Sequence, residues 1–114
     1  MAIYDRGDVV LVYFPWTNKE GNMEMKMRPG LVLRVEGPQE RLVIQITSKN
    51  RSDNFPGKWI IKDSDLGKQM GLRMDSFVNY TVQKELTLRD IIRKIGYCGL
   101  IDKIEEEIES IDNT

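Results

Sequence analysis

The 114-residue sequence contains no histidine. This absence excludes a Ser-His-Asp catalytic triad, a ribonuclease mechanism built on paired histidines, and every metal site that depends on imidazole ligands. If the protein is an enzyme, its proton transfers must use Asp, Glu, Lys, Tyr, Cys, Arg, backbone groups or water. The absence of histidine therefore limits the possible catalytic mechanisms before any motif is considered.

Cysteine is nearly absent, and long apolar segments are missing. The single Cys98 has no partner for an internal disulfide or a zinc site, and we interpret it as a small apolar residue of the core. No apolar run approaches the roughly 18 to 20 residues of a membrane span, and the N-terminus lacks the apolar core of a secretion signal. We therefore expect a cytoplasmic protein with no membrane partner.

The residues that are present describe a globular chain, 40% hydrophobic and 31% charged. Without a linker, a repeat or a low-complexity segment, residues 1–114 are expected to form a single domain. Residues 102–112 hold six acidic residues and one lysine, whereas the rest of the chain holds 16 basic and 12 acidic residues. A basic body favours a polyanionic partner such as nucleic acid, and ordinary solvated charge is the alternative.

Short apolar segments separated by turn residues predict a mainly β fold with a C-terminal α-helix. Five segments are predicted strands, at residues 8–14, 29–35, 41–46, 59–61 and 76–82, and Pro15 is expected to end the first. A loop or a loose hairpin should join the first two strands. Six or seven short strands with long connections are typical of a small β-barrel.

Three further segments have a less specific pattern. Residues 63–71 fit a loop or a single helical turn, residues 86–90 fit one helical turn, and residues 91–97 fit either a strand or a helix. A terminal amphipathic helix, packed on its own barrel, is predicted by isoleucines at helical spacing, namely Ile101, Ile104, Ile108 and Ile111.

An arginine and a hydroxyl stand at the ends of two neighbouring predicted strands. Arg28 directly precedes the second strand, and Thr47 directly follows the third. Because these strands form a hairpin, the two side chains can meet at the rim of the sheet although 19 positions separate them. A guanidinium and a hydroxyl are suitable donors to a phosphate, so this pair is our candidate site. The alternatives are a surface salt bridge for Arg28 and a strand cap for Thr47.

The order of the motifs resembles the MazF/PemK family of toxins from toxin-antitoxin systems. The resemblance covers residues 6–111 and rests on Gly-Asp-Val-Val-Leu-Val at 7–12, Arg-Pro-Gly-Leu-Val-Leu at 28–33, Ile-Thr-Ser-Lys at 46–49, Gly-Leu-Arg-Met-Asp-Ser at 71–76 and the isoleucine-rich acidic end. It implies an SH3-like small β-barrel (CcdB/PemK/MazF-like) that forms a homodimer. It also implies a cognate antitoxin as partner, with operator DNA bound only through that antitoxin.

The same resemblance implies an activity, which is cleavage of single-stranded RNA without a metal or another cofactor. Arg28 and Thr47 stand where the family has its catalytic arginine and threonine. In such enzymes the ribose 2′-hydroxyl attacks the adjacent phosphorus and leaves a 2′,3′-cyclic phosphate and a 5′-hydroxyl. Only RNA has that nucleophile.

Residues flanking the pair are candidates for binding RNA, through cations for phosphates, amides for base edges and aromatics for stacking. The predicted substrate-binding residues are Trp16, Asn18, Lys19, Lys26, Gln45, Ser48, Lys49 and Arg51. Phe55 and Asn50 could add a stacking surface and an amide, although aromatic residues beside a proline also fit barrel packing. Glu24 is one candidate base. Alternating methionines at 23, 25 and 27 fit either an adaptable partner surface or a hairpin arm with one buried face.

One segment departs from the family, and two other function classes stay open. Where many members have Asp-Gln-Ile-Arg-Thr-Ile-Asp, this chain has Tyr-Thr-Val-Gln-Lys-Glu-Leu at 80–86, so its substrate contacts are expected to differ. A non-catalytic barrel that binds nucleic acid or protein is the stronger alternative. A DNA gyrase inhibitor on the same fold is the weaker one, because that class ends in Trp-Gly-Ile and this chain ends in Ile-Asp-Asn-Thr.

Overall fold

The computed structural model describes residues 3–112 and, within that range, every side chain except that of Trp16. Six strands are present in these residues: β1 Asp8–Thr17, β2 Met23–Val35, β3 Glu40–Thr47, β4 Gly57–Ile60, β5 Ser76–Thr87 and β6 Ile91–Tyr97. The helices are α1 Asp65–Met70, a short 3-10 helix Leu88–Asp90, and α2 Ile101–Asp112. Among the described residues, no helix is both long and apolar enough to cross a bilayer.

The strands form one antiparallel sheet in the order β4-β5-β3-β2-β1-β6, which curls into a half-barrel. Successive side chains of a strand point to opposite faces, so an unbroken apolar run requires both faces to be covered. Val9 and Leu31 pack on the face that α2 covers, while their chain neighbours Val10 and Val32 pack in a second cluster on the other face. The consecutive valines and leucines of the sequence thus fit a curled sheet.

Helix α2 is held against the sheet by its isoleucines, as its spacing predicts. Ile101, Ile104 and Ile108 are buried in the main core, whereas Ile111 in the last turn is 37% exposed. A buried isoleucine contributes roughly 1.5 to 3 kcal/mol of transfer free energy, so these three side chains favour docking of the helix on the sheet. The helix therefore packs on its own barrel.

Ion pairs fix the acidic face of α2. Arg6 lies 2.8 Å from Asp102 and 3.3 Å from Glu105, and Lys58 lies 3.4 Å from Glu107. Part of the acidic charge of the C-terminal segment is thus matched within the chain, by cations that precede β1 or belong to β4.

The hairpin between β1 and β2 is longer than predicted. Strand β1 continues through Pro15 to Thr17, and its register with β2 runs on to the pair Thr17 and Met23. Strand β1 pairs with β6 only as far as Val12, so beyond that point it is an edge strand. An edge strand tolerates proline because one of its two sides has no neighbouring strand to accept a hydrogen bond. The prediction that Pro15 ends the strand is therefore wrong.

The structure assigns the three segments whose pattern left their secondary structure open. Residues 91–97 form the edge strand β6, which pairs with β1. Residues 63–71 contain the short helix α1, and the predicted turn within 86–90 is the 3-10 helix. The three methionines of the hairpin arm are all exposed, at 69%, 54% and 58%, so the alternative with a buried methionine face is wrong.

Candidate functional site

Arg28 and Thr47 both lie two residues beyond the same end of the β2–β3 ladder. The last three pairs of β2 with β3 at this end are Val32 with Val43, Leu31 with Ile44 and Gly30 with Gln45. Arg28 lies two residues before Gly30, and Thr47 lies two residues after Gln45, beyond the last pair of this ladder. There Arg28 pairs with Val12 of β1, and Thr47 pairs with Phe77 of β5. The two residues thus follow the same end of the ladder, but Arg28 lies within β2 and not directly before it, so that part of the prediction is wrong.

The two side chains differ in how firmly they are held. Thr47 is buried, and its hydroxyl oxygen accepts a hydrogen bond from the Lys49 N–H at 3.3 Å. Within residues 3–112 that hydroxyl has no acceptor for its own hydrogen, which leaves it as a donor. Arg28 is half-buried, and its guanidinium has no hydrogen bond or ion pair with any described residue. One preorganised hydroxyl donor and one unpaired guanidinium are suited to binding an oxyanion.

A pocket of about 700 Å³ opens beside this pair. Its volume lies within the range typical of ligand sites. The lining residues contain no carboxylate, and five of them are cations, namely Lys26, Arg28, Arg73, Arg93 and Lys94. Lys94 is neutralised in part by Asp8 at 3.0 Å. This concentration of positive charge favours an anionic ligand.

Arg28 lines the pocket, whereas Thr47 does not. Ile46 and Ser48, on either side of Thr47, do line the pocket. Because side chains alternate along a strand, Thr47 points to the face opposite that of Ile46. The pocket therefore contains Arg28 and reaches the end of β3, but the hydroxyl of Thr47 lies on the other face of that strand.

The far wall of the pocket depends on a close approach between α1 and β6. Gly71 ends α1 with a φ of 72°, in the left-handed region that favours glycine. A side chain there would overlap the carbonyl oxygen of Ile95, and one at Gly96 would overlap the backbone of Met70. These two glycines let the loop after α1 lie directly on β6, which brings Arg73 and the cations of β6 to one cleft.

Sequence reasoning missed three cations of this cleft. Arg73 lies in the Gly-Leu-Arg-Met-Asp-Ser motif, which was noted only for its resemblance, and Arg93 and Lys94 lie in the segment whose secondary structure was undecided. A strand assignment for residues 91–97 would have placed Arg93 beside the first strand. No local pattern indicated that the loop after α1 folds over the same place.

Of the predicted substrate-binding residues, Lys26 and Ser48 line the pocket together with Arg28. Lys49 and Arg51 are exposed in the connection after β3, and Gln45 is half-buried in β3 opposite Gly30. Lys19 is exposed in the β1–β2 turn. The side chain of Trp16 lies outside the described residues.

Asn18 has a local structural role. Its side-chain oxygen accepts hydrogen bonds from the N–H groups of Glu20 and Asn22, and its amide donates to Glu24 at 2.9 Å. These bonds build the turn of the hairpin arm. Glu24 lies four residues from Arg28 along β2, about 13 Å at the rise of a strand. At that distance Glu24 does not lie next to Arg28, where a base would be needed.

The segment that departs from the family forms part of β5 and helps to hold α2. The buried Tyr80 donates its hydroxyl hydrogen to Glu107 at 3.1 Å, and the Gln83 amide donates to the Tyr80 carbonyl. Burial, and then the Glu107 carboxylate, raise the pKa of Tyr80. Burial likewise raises the pKa of Cys98, which is inaccessible to solvent as its interpretation as a core residue requires. Among residues 3–112, no cluster of acidic residues and cysteine could hold a metal ion.

Comparison with known proteins agrees with this geometry at the level of the fold. A chain in the crystal structure of MazE-MazF (Form-II) from Deinococcus radiodurans superimposes with a TM-score of 0.65 over 100% of this chain and 99% of that one, at 16% sequence identity. No protein-family model and no curated protein matches the sequence. The chain therefore has a MazF-like fold, mainly β with a C-terminal helix.

Proposed function

We propose that this protein is the toxin of a toxin-antitoxin system and a metal-independent endoribonuclease that cleaves single-stranded RNA at selected sequences. The observation that supports it most directly is a cleft with five cations in its lining, which includes Arg28 and both chain neighbours of Thr47. The fold likeness and the order of the motifs point to the same class. A cleft rich in cations and free of carboxylates suits a phosphodiester backbone.

The chemistry needs few groups from the protein. The ribose 2′-oxygen forms a bond to phosphorus, the bond from phosphorus to the 5′-oxygen breaks, and the proton lost by the 2′-hydroxyl is balanced by one gained at the 5′-oxygen. Negative charge grows on the non-bridging oxygens in between. Arg28 clamps those oxygens with a planar fork of donors, and Thr47 adds a hydroxyl hydrogen bond.

The rest of the proposal concerns the working state of the molecule. We propose that the 114 residues act as one domain in the cytoplasm, as a homodimer that is inhibited by a cognate antitoxin. Operator DNA would be reached only through that antitoxin. Candidate RNA contacts outside the cleft are the exposed cations Lys19, Lys49 and Arg51.

The test is incubation of the purified protein with several long RNAs of different sequence in EDTA. Wild type is compared with Arg28→Ala, Thr47→Ala and the control Arg34→Ala, which alters an exposed arginine farther along β2. We expect cleavage by wild type and the control, and a loss on the order of 100-fold to 1,000-fold in each of the other two variants. Binding of RNA without cleavage by wild type would instead establish the non-catalytic barrel.

A further inference from the structure

The cationic pocket contains two arginines besides Arg28, the proposed catalytic arginine. Arg73 in the loop after α1 and Arg93 in β6 both line it and are both exposed. Neither has a hydrogen bond or an ion pair with a described residue. Two unpaired guanidinium groups beside Arg28, with no carboxylate in the lining, create a site that lacks its counter-charge. That counter-charge must come from a ligand or from solvent ions.

The floor of the same pocket is apolar. Leu11 pairs with Pro29 of β2 on one side and with Arg93 of β6 on the other, so the apolar Leu11 and Pro29 lie side by side and Arg93 borders them. Neighbouring strands are about 4.8 Å apart, so Pro29 and Arg93 are about 10 Å apart across the floor. Ile46 and Ile95 also line the pocket. An aliphatic floor between cationic rims suits a ligand that has a flat apolar part joined to phosphates.

We propose that this pocket is a subsite for one nucleotide of the RNA strand, with the base on the aliphatic floor and the neighbouring phosphates on Arg73 and Arg93. The inference rests on the proposed function, because Arg28 links the subsite to the phosphodiester that is cut. Unstacked bases of single-stranded RNA are bound by apolar packing and by the planes of guanidinium groups. A nucleotide held here fixes the register of the strand relative to Arg28 and Thr47.

The subsite is tested by measuring binding instead of cleavage. The probe is a fluorescein-labelled, random-sequence 2′-O-methyl RNA, which lacks the 2′-hydroxyl nucleophile, and binding is followed by fluorescence anisotropy. The variants are Arg73→Ala, Arg93→Ala and their combination. Arg34→Ala is the matched control, because Arg34 is exposed, pairs with Glu36 at 3.6 Å and lies six residues from Arg28 along β2, about 20 Å away.

We expect each single substitution to weaken binding about tenfold or more, as the loss of a charge-assisted hydrogen bond does. The double variant should also lower the slope of log affinity against log salt by about 1.4, since each phosphate contact to a single strand contributes about 0.7. An oligonucleotide of abasic units should bind wild type about fivefold or more weakly than the probe, because it has no base to pack on the floor. The control should bind like wild type.

Three results would overturn the subsite. These are unchanged affinity and salt slope in the double variant, an equal loss in Arg34→Ala, or tighter binding of poly-glutamate than of RNA, which would assign the pocket to an acidic peptide. Equal affinity for the abasic strand would show that no base packs on the apolar floor of the pocket. If the alanine variants unfold, Arg73→Gln and Arg93→Gln, which keep the side-chain length more closely, replace them.

This outcome is independent of the cleavage test. Loss of binding in the variants of a protein that cuts no RNA would leave the subsite standing and remove the proposed activity. If the enzyme is active and the double variant has an unchanged KM for RNA, the proposed activity stands and the subsite is removed.

Discussion

At the scale of single residues, the hydroxyl of Thr47 is the most constrained polar group near the proposed chemistry. It is buried, and the N–H of Lys49 fixes the position of its oxygen. A substitution here separates the role of the hydroxyl from that of side-chain shape. Threonine and valine have nearly the same shape, whereas serine keeps only the hydroxyl.

We therefore expect Thr47→Val to lower the initial rate of RNA cleavage on the order of 100-fold, and Thr47→Ser to stay within about tenfold of wild type. The measurement is single-turnover cleavage of one labelled RNA by the three proteins. Thermal unfolding is the control, because valine also removes the acceptor for Lys49. Equal rates for valine and serine variants would show that the hydroxyl does not take part.

Tyr80 gives a prediction about stability and pH. Its hydroxyl is bonded to Glu107, so Tyr80→Phe should lower the free energy of unfolding by about 0.5 to 1.5 kcal/mol at neutral pH. Because the pKa of Tyr80 is raised in the folded protein, its contribution is complete below the unfolded value of about 10 and is lost as the pH rises beyond it. The melting temperature of wild type should fall more steeply than that of Tyr80→Phe from about pH 9.5 upward. Parallel curves would contradict this assignment.

At the scale of elements, α2 stabilises the sheet through its isoleucine face. Ile104 is completely buried, so Ile104→Ala should lower the free energy of unfolding by about 2 to 5 kcal/mol. Ile111→Ala on the same helix is the matched control and should cost less than about 1 kcal/mol, since that side chain is more than one-third exposed. Urea unfolding at constant slope measures both. Equal losses would mean that α2 is not packed by this face.

The elements also show what the sequence could and could not predict. Strands β2 and β3 and helix α2 were recognisable because apolar periodicity and turn residues are local signals. The prediction that Pro15 ends the first strand failed because a proline is tolerated in β1 only where a second neighbouring strand is absent. That absence is visible only in the folded sheet. Strand β6 was ambiguous because seven residues are too few to separate a strand from a helix by their pattern.

The candidate site divides in the same way. The position of Thr47 at the end of β3 was predictable from a local strand pattern, whereas Arg28 lies inside β2 because that strand begins at Met23. The meeting of the two side chains stays a prediction. Arg73 and Arg93 were not predictable, because their contact with the cleft depends on glycines that bring α1 onto β6. That approach joins parts of the chain distant in sequence and has no local signature.

At the scale of the whole molecule, charge is separated in a way that the net charge of −1 conceals. Five cations line one cleft, and no lining residue belongs to the acidic helix α2. Ion pairs with Arg6 and Lys58 keep carboxylates of α2 on the body of the protein. A polyanion can therefore enter the cleft without meeting a carboxylate in its lining.

The central claim is that this protein cleaves RNA by attack of the RNA's own 2′-hydroxyl on the adjacent phosphorus. The chemical groups at the ends of the products test this claim most directly. One single-stranded RNA and its fully 2′-O-methylated counterpart are incubated with the protein in EDTA, and the fragments are analysed by mass spectrometry. We expect cleavage of the RNA alone, with 2′,3′-cyclic phosphate and 5′-hydroxyl ends. Cleavage of the methylated strand, fragments with 5′-phosphate ends, or no cleavage of any of several RNAs would contradict it.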